Sequence, residues 1–350
     1  MVKVRYTFFV ILALLFTSTA CKSKNTSKTD DNTPVAVEST LTAKAQPEKE
    51  EQEEVVLSAT EPQPINTDDF EAKLYERTGE VTGVQQRLVI DLLRLDNSSV
   101  KALAAAQDVL KKYFKNATAR QADSLYLVYH AYANLHLELV WDDEYYTQVI
   151  EHAYNHSFYA SEENTPKVYQ PILAQLDKVG IRVEDVGEGC AEFSFYPDYF
   201  LNIFEPHTTE STKVYLEIDA FEKDYPFIFD AAISISWTQL AERINTFATY
   251  AEKYPQSLFI QEVTETLRWY TNMLLTGLDN TSVFDFVSHS DGRLPKILPE
   301  VYEEYQQFIT NNPNTYATYI LQEFCMVLEK NDMMRTEEVD HFITNWTLPD

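Results

Sequence analysis

Glycine, positive charge and long apolar runs are all scarce in this chain. It has 7 glycines in 350 residues, about 2% against an average near 7%. That argues against folds needing many left-handed or closely approached backbone positions and leaves helices as the natural expectation. Lys and Arg number 28 against 55 Asp and Glu, a formal net charge of -27. Phosphate binding requires clustered cations, so this balance argues against a nucleic-acid partner and favours basic proteins or cations. What is abundant is apolar mass: 45% hydrophobic residues, with 13% aromatic, suffice for a substantial core.

The amino terminus reads Lys3 and Arg5, an apolar run from Phe8 to Phe16, then Thr17-Ser18-Thr19-Ala20-Cys21. The run falls short of the ~20 residues a spanning helix needs, so the segment is expected to be a cleaved signal peptide covering residues 1–21. Small residues running directly into a Cys resemble the lipobox of bacterial lipoproteins, with Ser18 standing where that family usually has Leu. The resemblance implies that Cys21 is lipidated, becomes the first mature residue and anchors the chain in the outer or cytoplasmic membrane. An ordinary secretory peptide with a chance Cys is the alternative. Residues 22–65 are 44 residues rich in Ser, Thr, Asn, Lys, Glu and Pro, without aromatic or glycine. They cannot build a core and are expected to form a disordered tether with a root-mean-square span of ~35 Å. Such tethers resemble those of outer-membrane lipoproteins in Bacteroidota-like bacteria, which implies a cell-envelope location and leaves the facing direction open.

The acidity belongs to the body. Residues 1–65 hold 7 Lys and Arg against 9 Asp and Glu, leaving 21 against 46 and a net of -25 beyond them. Anionic lipid repels such a surface, in keeping with a long tether. A solvated acidic face explains it equally.

From Asn66 onward apolar residues recur at helical spacing. Leu240, Ile244, Phe247, Ala248 and Ala251 form one stripe, opened by the capping box Ser236-Trp237-Thr238-Gln239. Thr118-Ala119-Arg120-Gln121 repeats the device before Ala122, Tyr126, Tyr129, Ala133 and Val140. Further stripes run through Phe259 to Leu274, Val301 to Phe308, Tyr316 to Val327 and Val339 to Trp346. The glycines fall between stripes, where helix ends want them. The fold class expected is all-α, helical hairpins in a bundle or short solenoid, with one irregular segment near 180–206. A division at Gly180 gives an N-terminal helical subdomain over 66–179 and a C-terminal one over 180–350.

Phe247-x-x-Tyr250-x-x-x-Tyr254-Pro255-x-Ser257 aligns with Tyr305-x-x-Phe308-x-x-x-Asn312-Pro313-x-Thr315 at an offset of 58 residues. This resembles the helix-turn-helix joint of tetratricopeptide-like repeats, which implies stacked hairpins with peptide-binding grooves. A generic α-α hairpin bundle explains the joints as well.

No dinucleotide fingerprint, P-loop, G-x-S-x-G or H-E-x-x-H occurs, and no cofactor or catalytic residue is nominated. His152 and His156 share a helical face, with Asp142, Asp143 and Glu144 upstream, but a zinc site lacks a nameable third ligand. His136 lies on an apolar stripe and is expected to be a satisfied core histidine. Cys190 and Cys325 could form a disulfide or stay as buried thiols. The string Gly277 to Asp285 is expected to join two helices, its polar residues serving as stops and caps. As the alternative, Asp279, Asn280 and Asp285 would face a groove with Glu188, Tyr196 and Tyr199 and bind a cationic or hydroxyl-rich ligand. Two functions compete: a lipid-anchored binding or scaffold module for a peptide, glycan or partner protein, and an envelope enzyme, metal-assisted or not, using carboxylates of the C-terminal half.

Overall fold

The apolar stripes fold as helices. The computed structural model describes residues 57–63, 67–155, 166–187, 190–287 and 292–346, and over these the chain is all-α with helical hairpins and three two-stranded β-hairpins. The first helices are α1 (Thr67–Thr78), α2 (Gly83–Leu93), α3 (Ala102–Phe114), α4 (Ala119–Trp141), α5 (Glu144–Asn155) and, after a turn of 3-10 helix, α6 (Gln170–Asp177). The hairpin of β1 (Ile181–Gly187) and β2 (Cys190–Phe195) leads to α7 (Tyr199–Phe204) and α8 (Glu210–Asp224). Then come β3 (Ile228–Phe229), β4 (Ala232–Ile233), α9 (Trp237–Lys253), α10 (Ile260–Thr276), β5 (Gly277–Leu278) and β6 (Thr281–Ser282). The last helices are α11 (Pro299–Asn311), α12 (Tyr316–Lys330) and α13 (Glu337–Asn345). Leu57–Asp350 packs as one compact unit. Cys21, the leader and most of the tether lie outside the described residues, as do Glu188 and His156.

Both capping boxes expected from the sequence are present: Thr118 and Ser236 each accept from the N3 amide while Gln121 and Gln239 reach back to the cap amide. The start of α4 matters most, because this 23-residue helix packs against α1, α2, α3, α5, α7 and β2. Its buried face carries polar atoms that its neighbours must satisfy. The Tyr132 hydroxyl donates to Asn97 Oδ1 (2.5 Å), and Asn97 in turn donates to the Leu92 carbonyl at the end of α2. Buried Asp123 accepts from both the amide (2.9 Å) and the hydroxyl (2.8 Å) of Thr209, the N-cap of α8. A carboxylate at a helix N-terminus is stabilised by the free amides and the helix dipole.

The segment expected to be irregular is ordered by one close approach. A Cβ on Gly180 would lie 2.2 Å from the Tyr199 ring, and the φ of +82° there suits glycine alone. Gly180 therefore lets the chain turn from α6 into β1 directly beneath Tyr199. The β1–β2 pair is antiparallel from Ile181 opposite Phe195, with one irregularity between Asp185 and Gly187.

In the C-terminal half, α8, α9 and α11 end alike. Tyr225, Tyr254 and Asn312 all sit near φ -125°, with ψ between 54° and 62°, and each precedes a proline. Proline disfavours the α region in the residue before it, so each helix stops there. The two aligned joints thus close the hairpins α9–α10 and α11–α12, whereas the same stop at Tyr225-Pro226 leads into β3. The hairpins cap each other: Glu304 of α11 accepts from the Thr238 amide at the start of α9, and Asn245 of α9 accepts from the Ala317 amide at the start of α12. Cys325 is a free thiol buried in α12.

His136 is a core residue, but the expectation that it is satisfied is corrected. It is fully buried between Phe70 and Tyr132 (ring centroids 4.9 and 4.7 Å), and neither ring nitrogen has a partner. Packing of aromatic area, not hydrogen bonding, holds it there. Burial lowers its pKa to about 3. The unfolded chain therefore takes up this proton first, near pH 6.5, and the fold loses stability as the pH falls from there towards 3. His136→Leu is expected to leave stability at pH 8 unchanged or raised by ~1 kcal/mol, because no hydrogen bond is lost. It should also remove up to ~1.4 kcal/mol per pH unit of the acid-side slope, measured by urea titrations between pH 7 and 4. An unchanged slope would mean the imidazole is charged in the fold.

Candidate functional site

The five described residues of the six grouped by the sequence occupy different surroundings. Tyr199 is buried in the aromatic cluster around α4: its hydroxyl meets that of Tyr129 at 2.6 Å, Gln107 donates to it (3.3 Å), and its ring stacks on Phe195 (4.6 Å). Burial holds the Tyr199 phenol above its ordinary range. Tyr196 is exposed and donates to Asp177 at the end of α6 (2.7 Å). The bonds of Asn280 and Asp285 run elsewhere, to the β3–β4 turn and to residues 293–296. Glu188 lies outside the described residues.

The string from Gly277 is a β-hairpin, which corrects the expected helix joint. Leu278 pairs with Thr281 around a two-residue turn, Asp279-Asn280, both exposed. Gly277 stops α10 and is required, since a Cβ there would lie 2.1 Å from the Thr281 carbonyl. The surplus of polar residues has a use that only tertiary structure reveals. Asn280 donates its side chain to the Asp230 carbonyl (2.5 Å) and its amide to the Ala231 carbonyl (3.0 Å), while the Thr281 hydroxyl accepts from the Ile233 amide (3.0 Å). Asp230 and Ala231 form the two-residue turn between β3 and β4, both at positive φ (48° and 52°), as a type I′ turn demands. Asn280 clamps that strained turn. Asp285 closes the following loop, accepting from the Lys296 amide (2.7 Å) and pairing with Arg293 (2.8 Å). The Lys296 amide first, then Arg293, hold its carboxyl below the usual range.

The clamped turn follows a solvent-facing aromatic pair that the sequence reading missed. At the end of α8, Phe221 and Tyr225 are 49% and 57% exposed with ring centroids 5.2 Å apart, and the exposed Phe229 follows on β3. Arg243 of α9 fixes them from beneath. Its guanidinium pairs with Glu222 (2.7 Å), donates to the Tyr225 carbonyl (2.7 Å), and lies between Phe221 (5.0 Å) and buried Phe227 (4.6 Å). Tyr270 of α10 donates to the same Glu222 oxygen (2.6 Å). The cation is thus neutralised and sandwiched by rings. What reaches solvent is aromatic area on a rigid support. The signal available in the sequence was Ile218-x-x-Phe221-x-x-x-Tyr225-Pro226, the spacing of the other two joints, with its aromatics on the outward side.

Among the described carboxylates of the C-terminal half, burial raises the pKa of Glu192 on β2 and of Glu262 in the first turn of α10. Burial raises Glu262, opposed by a hydrogen bond with Tyr215. It sits among packed rings, Tyr215 stacking on Phe259 at 3.8 Å and Tyr126 meeting Phe259 edge-on at 5.4 Å. Nearby, burial among Tyr126 and Phe200 lowers His130 to about 4. Both shifts follow from burial among the rings of Tyr126, Phe200, Tyr215 and Phe259.

Ala231→Gly should stabilise the protein by ~1 kcal/mol, because glycine carries no left-handed penalty at that turn. Asn280→Ala should cost ~1 kcal/mol by freeing the Asp230 carbonyl. Chemical denaturation of the two single variants and the double variant measures both effects. An Ala231→Gly change with no gain would mean the turn is not strained.

No family model matches the chain, and no curated protein or solved structure matches it, so its function has to be argued from its own residues.

Proposed function

We propose that this chain is a lipid-anchored envelope protein whose helical body is a binding or scaffold module for a peptide, glycan or partner protein. The anchor is lipidated Cys21, in the outer membrane by preference, and residues 22–65 supply the polar tether. The order of charged, apolar and small residues ending in Cys21, followed by a polar stretch with no core-forming residues, supports the anchor.

The observation that carries the binding module is the Phe221–Tyr225 pair. Two large aromatic rings left in solvent on a support tied by Arg243, Glu222 and Tyr270 have apolar area to bury against a partner and little freedom to lose in doing so. Aromatic residues of this kind anchor interfaces. The body's net charge of -25 selects among partners: cationic groups around an apolar contact are drawn in, and anionic ones are repelled.

Two outcomes are expected. Cys21→Ala should move the protein from the membrane pellet to the soluble fraction on cell fractionation, and a variant that still needs detergent for release would sink the anchor. Phe221→Ala with Tyr225→Ala should abolish cross-linking to an envelope partner in intact cells. Stability should fall by only ~1 kcal/mol, for the lost Arg243 contact. Cross-linking that survives the double change would remove this surface from the proposal.

A further inference from the structure

The last stretch of the expected tether does not hang free. Leu57–Gln63 lies across the start of α5, some 80 to 90 residues away in sequence, and is held there by its main chain. The Gln148 carboxamide accepts from the Ser58 amide (3.1 Å) and donates to the Ala59 carbonyl (2.9 Å), as a paired β-strand would; its other N–H donates to Tyr145 O (2.8 Å). Asp143, the residue before α5, divides its carboxylate: one oxygen caps the Tyr145 amide (2.9 Å) and the other accepts from the Gln63 amide (2.9 Å). Gln148 and Asp143 are both buried. No strap side chain is: Ser58, Thr60, Glu61 and Gln63 are exposed, and Leu57, Ala59 and Pro62 are half-exposed. Beside Pro62 a pocket of about 120 Å³ opens between Val100, Leu139 and Tyr146. It is too small for a cofactor and large enough for a side chain.

We propose that this cleft is a groove for extended peptides, read through their main chain, and that Leu57–Gln63 fills it in cis and gives way to a proline-containing peptide of neutral or basic character. The groove's specific bonds go to amides and a carbonyl that any extended segment offers, so they do not select this strap over another. Pro62 at the small pocket sets the residue type favoured there. Charge then disfavours the resident strap. The rim carries Asp142 and Asp143, while the strap presents Glu61 two residues from the amide seated on Asp143. A peptide with a cation in place of Glu61 meets the rim with the opposite sign. The strap also joins residues 22–56 to α1, so a pull on the tether acts on it before reaching the body. This site deepens the binding-module reading and rests on it for the source of the peptide, but peptide binding by purified protein is measured independently of Cys21 and of any envelope partner.

The test uses the full-length chain in detergent and a fluorescein-labelled synthetic peptide with the sequence of residues 55–65. Ser58→Pro with Gln63→Pro deletes the two strap amides that the groove holds and leaves the groove intact. That chain should bind the peptide saturably, and the unaltered chain about tenfold more weakly or worse, because its own strap competes at high effective concentration. A peptide carrying Glu61→Lys should bind about two- to fivefold more tightly at low salt, with the advantage lost at high salt. Adding Gln148→Glu to the strap-released chain, which keeps the side-chain shape and removes its donors, should abolish binding with the melt otherwise preserved. Limited proteolysis within 57–63 reports whether the strap has opened. An opened strap with no saturable peptide binding overturns the groove. A strap that stays protected after both prolines overturns the claim that these amides hold it. Concentration-dependent dimers of the unaltered chain would assign the groove to the strap of a second copy and overturn the outside peptide.

Discussion

The rest of the structure depends on the burial of α4. A 23-residue helix enclosed by six other elements has no solvent to satisfy the polar atoms on its inner face, and in a low-dielectric interior each unpaired group is costly. Tyr132, Tyr129 and Asp123 therefore dictate what stands opposite them. Asn97 must follow α2, Tyr199 must begin α7, and Thr209 must cap α8. Placing Tyr199 in turn requires Gly180, since any side chain there would occupy its ring. One helix thus orders partners drawn from both sides of residue 180. His136 is the exception on that face, tolerated because a neutral imidazole packed between two rings gives up only its hydration.

The C-terminal half is organised by a different device. Three helices end before proline with nearly the same backbone angles, and the hairpins that result exchange side-chain caps at their starts. Free amides at helix ends are otherwise unsatisfied, so Glu304 and Asn245 orient α9, α11 and α12 as well as pack them. Arg243 does the same for the end of α8. Its guanidinium takes a carboxylate and a carbonyl that would be stranded, and the rings on either side exclude water from the pair.

These two devices leave two surfaces with different characters. At the end of α8, aromatic area faces solvent above a neutralised cation, a surface suited to apolar contact. At the start of α5, buried amide and carboxylate groups are committed to the main chain of the tether's last residues, a surface suited to an extended backbone. Both lie in a body with a net charge of -25, so the same long-range field draws cationic groups toward each.

Local interactions are what the sequence by itself determined. The stripe through Leu240 to Ala251, the capping boxes at Thr118 and Ser236, and the stops before Pro255 and Pro313 each depend on residues within a few positions of one another, so they were legible without a fold. The all-α class followed from them. Only tertiary structure decided the uses of Asn280, Asp285, Tyr199 and Gln148. The clamp from Asn280 reaches 50 residues back to Asp230, Tyr199 meets Tyr129 across 70, and Gln148 holds Ser58 across 90. The string from Gly277 read as a helix joint because Asp, Asn, Thr and Ser serve helix caps and hairpin turns equally, and the choice between them was made by a second turn elsewhere in the chain. The strap read as tether for a related reason. None of its side chains is buried, and the groups held by Gln148 and Asp143 are its own backbone amides and carbonyl, which carry no sequence signature.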